Sequence, residues 1–77
     1  MSETYLDYAI VIEKAPTSFG AYVPALPGCV AVGDSEDEVR VLIRDAIEFH
    51  LDGMREDGEP IPPPASRVEY VKVPVST

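Results

Sequence analysis

The chain has 77 residues, six of them basic and fourteen acidic, for a formal net charge of −8, with one cysteine and one histidine. That length supports one domain whose core is marginal without outside help. A single cysteine excludes an internal disulfide, and with one histidine it excludes a four-ligand thiolate–imidazole metal centre. The charge argues against direct nucleic-acid binding, which needs clustered lysine and arginine, and favours a basic partner or plain solubility.

The first residues, MSETYLDY, carry neither a basic start nor a long apolar run. No signal peptide and no membrane span are therefore predicted, and a cytoplasmic protein with a reduced thiol is expected. Residues 5–13 read as a strand. Leu6, Tyr8, Ile10 and Ile12 alternate onto one face, with Tyr5, Asp7, Ala9, Val11 and Glu13 on the other. A polar turn around Pro16 leads into a second strand over residues 19–25, so the pair should form an antiparallel hairpin. Pro24 has no N–H to donate and belongs at the strand end or in a bulge.

The stretch VPALPGCVAVGDSEDEV, residues 23–39, gathers two prolines, two glycines, the cysteine and a burst of acid. Pro27-Gly28 is a turn signal, since proline presets one φ and glycine accepts a positive one. Residues 29–32 form a short third strand closed by Gly33-Asp34. Ser35 and Glu38 then match the S-x-x-E capping box, and Glu36 and Asp37 sit favourably beside the positive end of the helix dipole.

The helix is predicted over residues 36–56. Val39, Leu42, Ile43, Ala46, Ile47, His50 and Met54 make its buried stripe, and Val41 and Phe49 fall off it. Gly53 could mark an earlier end, but Gly58 with Pro60 beyond it is the better stop. EPIPPP, residues 59–64, must run extended as a stiff connector. Residues 68–75 alternate again, with Val71, Val73 and Val75 on one face and Val68, Tyr70 and Lys72 on the other, as a last strand.

The predicted order is β-β-β-α-β in the α+β class. Three antiparallel strands form a meander, the fourth lies parallel to the first and beside it, and one helix covers one face. The opposite face stays partly exposed, and a patch of that kind usually finds a partner. Tyr5, Ala9 and Val11, or else the opposite set, are left on that face; the first three are taken as the candidate oligomer interface, and a dimer or larger species is expected.

No enzyme signature emerges. A nucleophilic Cys29 would need a base and an electropositive setting, and its neighbours are apolar on one side and acidic on the other. His50 lies on the apolar stripe and reads as a core-edge residue. Asp34, Glu36, Asp37 and Glu38 have no EF-hand spacing, and helix capping explains them. Asp7, Glu48 and Glu69 occupy suggestive elements for a two-metal site, but nothing in their spacing makes them converge. No catalytic, metal or cofactor site is predicted.

Four features in order, YAIVIEKA, FGAYVPALPGC, GDSEDEV and AIEFHLDGMREDGEPIPPP, followed by the valine-rich end, resemble a HicB-type antitoxin domain. The resemblance covers nearly the whole chain. It implies a partial RNase H-like fold, and an antitoxin that occludes the active surface of a small basic HicA-type messenger-RNA-cleaving toxin. It also implies dimers or larger oligomers and no catalytic set. Many such antitoxins carry a further C-terminal DNA-binding domain, whereas residues 1–77 read as a single HicB-like domain without one. Glu36, Asp37, Asp45, Glu48 and Asp52, on or near the exposed side of the helix, are the candidate partner-binding residues. A stand-alone homo-oligomeric or structural module without a toxin is the alternative.

Overall fold

The computed structural model describes residues 5–76. Three strands, β1 (Val11–Lys14), β2 (Phe19–Tyr22) and β3 (Val30–Gly33), precede one helix, α1 (Glu36–Glu56). The sheet has the order β1-β2-β3 with both pairs antiparallel, so the expected meander and single helix are present.

Register fixes what each face carries. Ile12 lies opposite Ala21 and Ala21 opposite Ala31; Lys14 is opposite Phe19 and Phe19 opposite Gly33. These rows face the helix, where Ala21, Val23, Leu26, Cys29, Val39 and Ile43 form the buried core. Tyr8, Ile10, Ile12 and Phe19 pack against it, so the covered face is the one carrying the even-numbered apolar residues of the first segment.

The loop from Val23 to Cys29 is part of this core. Leu26 N–H donates to Val23 C=O at 3.0 Å, Cys29 N–H to Leu26 C=O at 3.1 Å, and Val23 N–H to Cys29 C=O at 3.3 Å. Pro27 and Gly28 occupy the middle of the second turn, and Gly28 takes φ 87°, as a type II turn requires. The folded loop turns Leu26 inward, leaving it 1% exposed. Burying a leucine this fully is worth about 1.5–3 kcal/mol.

Close approach accounts for Gly33 at the end of β3. A Cβ there would stand 3.0 Å from the Val39 nitrogen, against backbone that cannot swing away. Ser35 then caps α1, its hydroxyl accepting from Glu38 N–H at 3.0 Å. At the other end, Gly58 N–H donates to Arg55 C=O and Glu59 N–H to Met54 C=O. With Gly58 at φ 73°, these bonds make a Schellman stop, and the helix runs through Gly53 as the stronger signal required.

Three expectations fail. The second strand ends at Tyr22 and not at residue 25, because the turn closed by Leu26 N–H on Val23 C=O begins there. The first strand begins at Val11 and not at residue 5. Continuing the β1–β2 register would set Ala9 against Pro24, which has no N–H and lies inside the turn that carries β2 away. The fourth strand over residues 68–75 is not formed: residues 59–76 carry no regular secondary structure, and Val68, Tyr70, Val71, Val73 and Val75 are exposed. The β1 edge, where that strand was expected, therefore carries no ladder partner among the described residues.

Candidate protein-binding surfaces

Three features stand outside the core: the outer sheet face, the outward side of α1, and the C-terminal tail. On the outer face Val11 lies opposite Tyr22 and Tyr22 opposite Val30, while Glu13, Gly20 and Val32 form the next row. Tyr22, Val30 and Val32 are exposed, Val32 to 68%. One 21-residue helix shields one side of a sheet, so these side chains have no cover from the described residues. Of the predicted interface residues, Val11 joins this row and Ala9 is half-buried. Tyr5 lies outside the paired strand, where alternation no longer dictates its side, and it lines the groove between the first segment and the helix. Val30 and Val32 are hidden from sequence reasoning because residues 29–32 form one apolar run with no polar residue to mark a face, and Tyr22 joins them only through the strand register.

On α1, Asp45, Glu48 and Asp52 follow each other at three- and four-residue steps and share the outward side. Four of the five predicted acids are engaged with neighbouring arginines. Arg40 reaches Glu36 at 3.1 Å and Asp37 at 3.0 Å, Arg44 lies 3.6 Å from Glu48, and Arg55 is 3.1 Å from Asp52. Exposed pairs of this kind contribute little to stability, and they temper the local negative field. Asp45 is in none of these pairs. Val41 and Phe49 flank it four residues to either side, and Phe49 is 82% exposed. Phe49 is thus an exposed aromatic beside acids on the outward side, and the sequence signal for it is that both apolar residues fall off the buried stripe.

Cys29 is buried, and loss of solvation pushes its thiol above the ordinary range, the reverse of what a nucleophile needs. Asp7 and Glu48 reach one groove, but Glu69 sits in the tail beside Arg67 at 3.6 Å. Among the described residues no group of three or more metal-ligating side chains is placed to hold an ion, and no helix is long and apolar enough to cross a membrane.

The family model for the HicB-like antitoxin of bacterial toxin–antitoxin systems matches residues 8–75. An uncharacterized 14.9 kDa protein of Haemophilus phage HP1 is 37% identical over 67 residues, covering 87% of this chain and 50% of that protein. A UPF0150 protein of Helicobacter pylori is 43% identical over 47 residues, covering 61% of this chain and 65% of that one. A UPF0150 protein of Archaeoglobus fulgidus is 40% identical over 57 residues, with 70% and 83% covered. The chain thus spans half the phage relative and under two thirds of the Helicobacter one. No solved structure matches it significantly. A match over nearly the full length shows that the chain belongs to the HicB-like antitoxin family of bacterial toxin–antitoxin systems.

Proposed function

We propose that the protein acts in the cytoplasm as the neutralising partner of a small basic HicA-type toxin that cleaves messenger RNA, and that it works by covering the toxin's active surface. The observation that carries the reading is the outward side of α1. It presents Asp45, Glu48 and Asp52 around the exposed Val41 and Phe49, on a helix with seven acids to three arginines. The net negative potential steers a cationic partner, and the exposed aromatic supplies a desolvated anchor once the two meet. Glu36 and Asp37 extend the acidic face toward the first turn, where Arg40 partly offsets them.

Self-association through the outer sheet face is the second part of the reading. Tyr22, Val30 and Val32 supply an exposed apolar patch beside the half-buried Val11, and a second copy offers the same patch for an isologous contact.

The test mixes purified protein with a purified small basic HicA-type toxin and follows binding by stopped flow and messenger-RNA cleavage by gel. Inhibition at fixed stoichiometry is expected, with an association rate that falls as salt rises. Cleavage unaffected by a molar excess of the protein overturns the antitoxin mechanism. Salt-insensitive association overturns the steering alone. Recovery from native cells of only further copies of this chain supports the stand-alone homo-oligomeric reading instead.

A further inference from the structure

Asp45 is the one candidate partner-binding acid without an ion pair among the described residues, and its neighbours along α1 explain why. The residues three and four positions away on either side are Val41, Leu42, Glu48 and Phe49, and these are the positions from which a helix pairs its own charges. Glu36, Asp37, Glu48 and Asp52 each have an arginine at that spacing and use it. The helix therefore offsets four of these acids and leaves the fifth carboxylate open.

That carboxylate lies on the side away from the core. Asp45 follows the fully buried Ile43 by two residues, which turns it about 200° around the axis. Val41 and Phe49 bracket it one turn to either side, and both are exposed. A long side chain on a helix leans toward the N-terminal turn, so Phe49 is carried back toward Asp45. The next position on that line is Gly53, where an added Cβ would meet no atom within 4 Å. Glycine inside a helix costs stability relative to alanine, and no close approach demands it here. Its effect is to leave the Phe49 ring with no side chain leaning over it from the next turn.

We propose that Asp45 and Phe49 form a clamp for one arginine of a cationic protein partner, the guanidinium edge donating to the carboxylate while its plane stacks on the ring. The clamp rests on the proposed antitoxin function and specifies what the acidic helix face recognises. Ring face and carboxylate both carry negative potential, so neither stabilises the other, and one cation satisfies both. Four residues apart, their Cβ atoms stand about 5–6 Å from each other, within the span of a single guanidinium. Arginine suits the pair because its planar, weakly hydrated fork bonds and stacks at once; the compact, strongly hydrated ammonium of lysine does not. Charge complementarity points the same way. The chain carries −8 overall, and the acids around Asp45 already have arginines of their own, so an incoming cation is directed to the open one. Val41 extends the apolar floor under the arginine's aliphatic stem.

The experiment titrates the full chain with triarginine and, separately, with trilysine at equal concentration and ionic strength. The Phe49 ring protons and the Asp45 amide are followed by NMR, with Phe19, packed on the core, as internal control. Triarginine should move the Phe49 signals and bind about three-fold more tightly than trilysine. Phe49→Leu keeps apolar bulk without the ring face, and Asp45→Asn keeps shape without charge; each should erase that preference. Both positions are exposed, so circular dichroism should show the parent helix signal in both variants. Gly53→Leu should cover the ring and weaken triarginine binding while raising the thermal midpoint. Equal response to the two peptides, or none at Phe49, overturns the clamp.

A purified HicA-type toxin then separates the clamp from the reading it rests on. Phe49→Leu and Asp45→Asn should each lower toxin affinity about five-fold, and together by less than the product, since both act on one guanidinium. Toxin held equally by the parent and both variants overturns the clamp as the toxin's seat and leaves neutralisation intact. Arginine preference with no toxin bound leaves the clamp standing and overturns the toxin as its partner.

Discussion

Residues 23–43 and residues 65–76 are both rich in small and branched apolar side chains, yet they end in opposite conditions. The first stretch closes on itself through two consecutive turns, a third strand and a capped helix start, and it supplies Val23, Leu26, Cys29, Val39 and Ile43 to a core none of them leaves exposed. The second stretch has the strand pattern with no ladder, and its valines stand in solvent. Alternation alone orders nothing. A strand needs hydrogen-bond partners and not only a neighbour: the first stretch pairs with segments close in sequence, while the second returns beside β1, where Tyr70 shares a pocket with Ile10, Ile12 and Lys14, without joining the ladder.

The contrast breaks most sharply by substitution in the core. Leu26→Ala should destabilise the monomer by about 3 kcal/mol, the usual cost of a leucine-sized void in a packed interior, and urea titration would read it as a lower midpoint. Small domains hold only about 5 kcal/mol of net stability, so a loss of that size leaves a substantial unfolded fraction. Equal truncation in the tail, Val71→Ala, should move the midpoint of a dilute monomer by no more than about 0.5 kcal/mol, as for ordinary surface changes. A tail variant as costly as the core one would mean that residues 65–76 pack in the isolated chain.

Phe49→Ala sharpens the comparison on the helix. Its side chain is exposed, so folding should be untouched, while on the proposed function affinity for the basic toxin should fall by about 2 kcal/mol, roughly thirty-fold, as for an interface anchor. Calorimetric titration with the basic partner measures it, and an unchanged affinity would move the contact elsewhere. A smaller effect belongs to Ser35→Ala, which removes the acceptor for Glu38 N–H and should cost about 1 kcal/mol of stability with no change in partner binding.

Sequence patterning made both ends of the helix legible, because local chemistry decides them: a hydroxyl at Ser35 and a positive φ at Gly58. Its buried stripe is less so, since Leu42 is exposed and Leu51, outside the expected stripe, packs on the core. The Pro27-Gly28 turn was legible for the same reason. What could not be read depended on partners. Residues 5–10 have strand alternation, but their ladder ends where Pro24 turns β2 away, and residues 68–75 have it with no paired neighbour among the described residues. Among the site residues, the acids were legible by type and their outward placement by helical spacing. Their engagement with Arg40, Arg44 and Arg55 depends on side-chain rotamers that spacing permits but does not impose.

Cys29 gives the finest test of how closed the first region is. Burial raises its pKa above the ordinary thiol value by disfavouring the thiolate. The unfolded chain therefore releases the thiol proton at lower pH than the folded one, and between the two values the native state binds more protons. Stability from this group is fully present below the unfolded thiol's pKa and declines as pH rises through the folded one. Maleimide labelling of the native protein should accordingly be slow at neutral pH and become fast in denaturant, and Cys29→Ala should flatten the alkaline side of the stability profile relative to the parent chain. Labelling as fast in the native state as in denaturant would show that the loop from Val23 to Cys29 opens readily. Residues 23–43 would then lose their self-sufficiency and share the incompleteness of the tail.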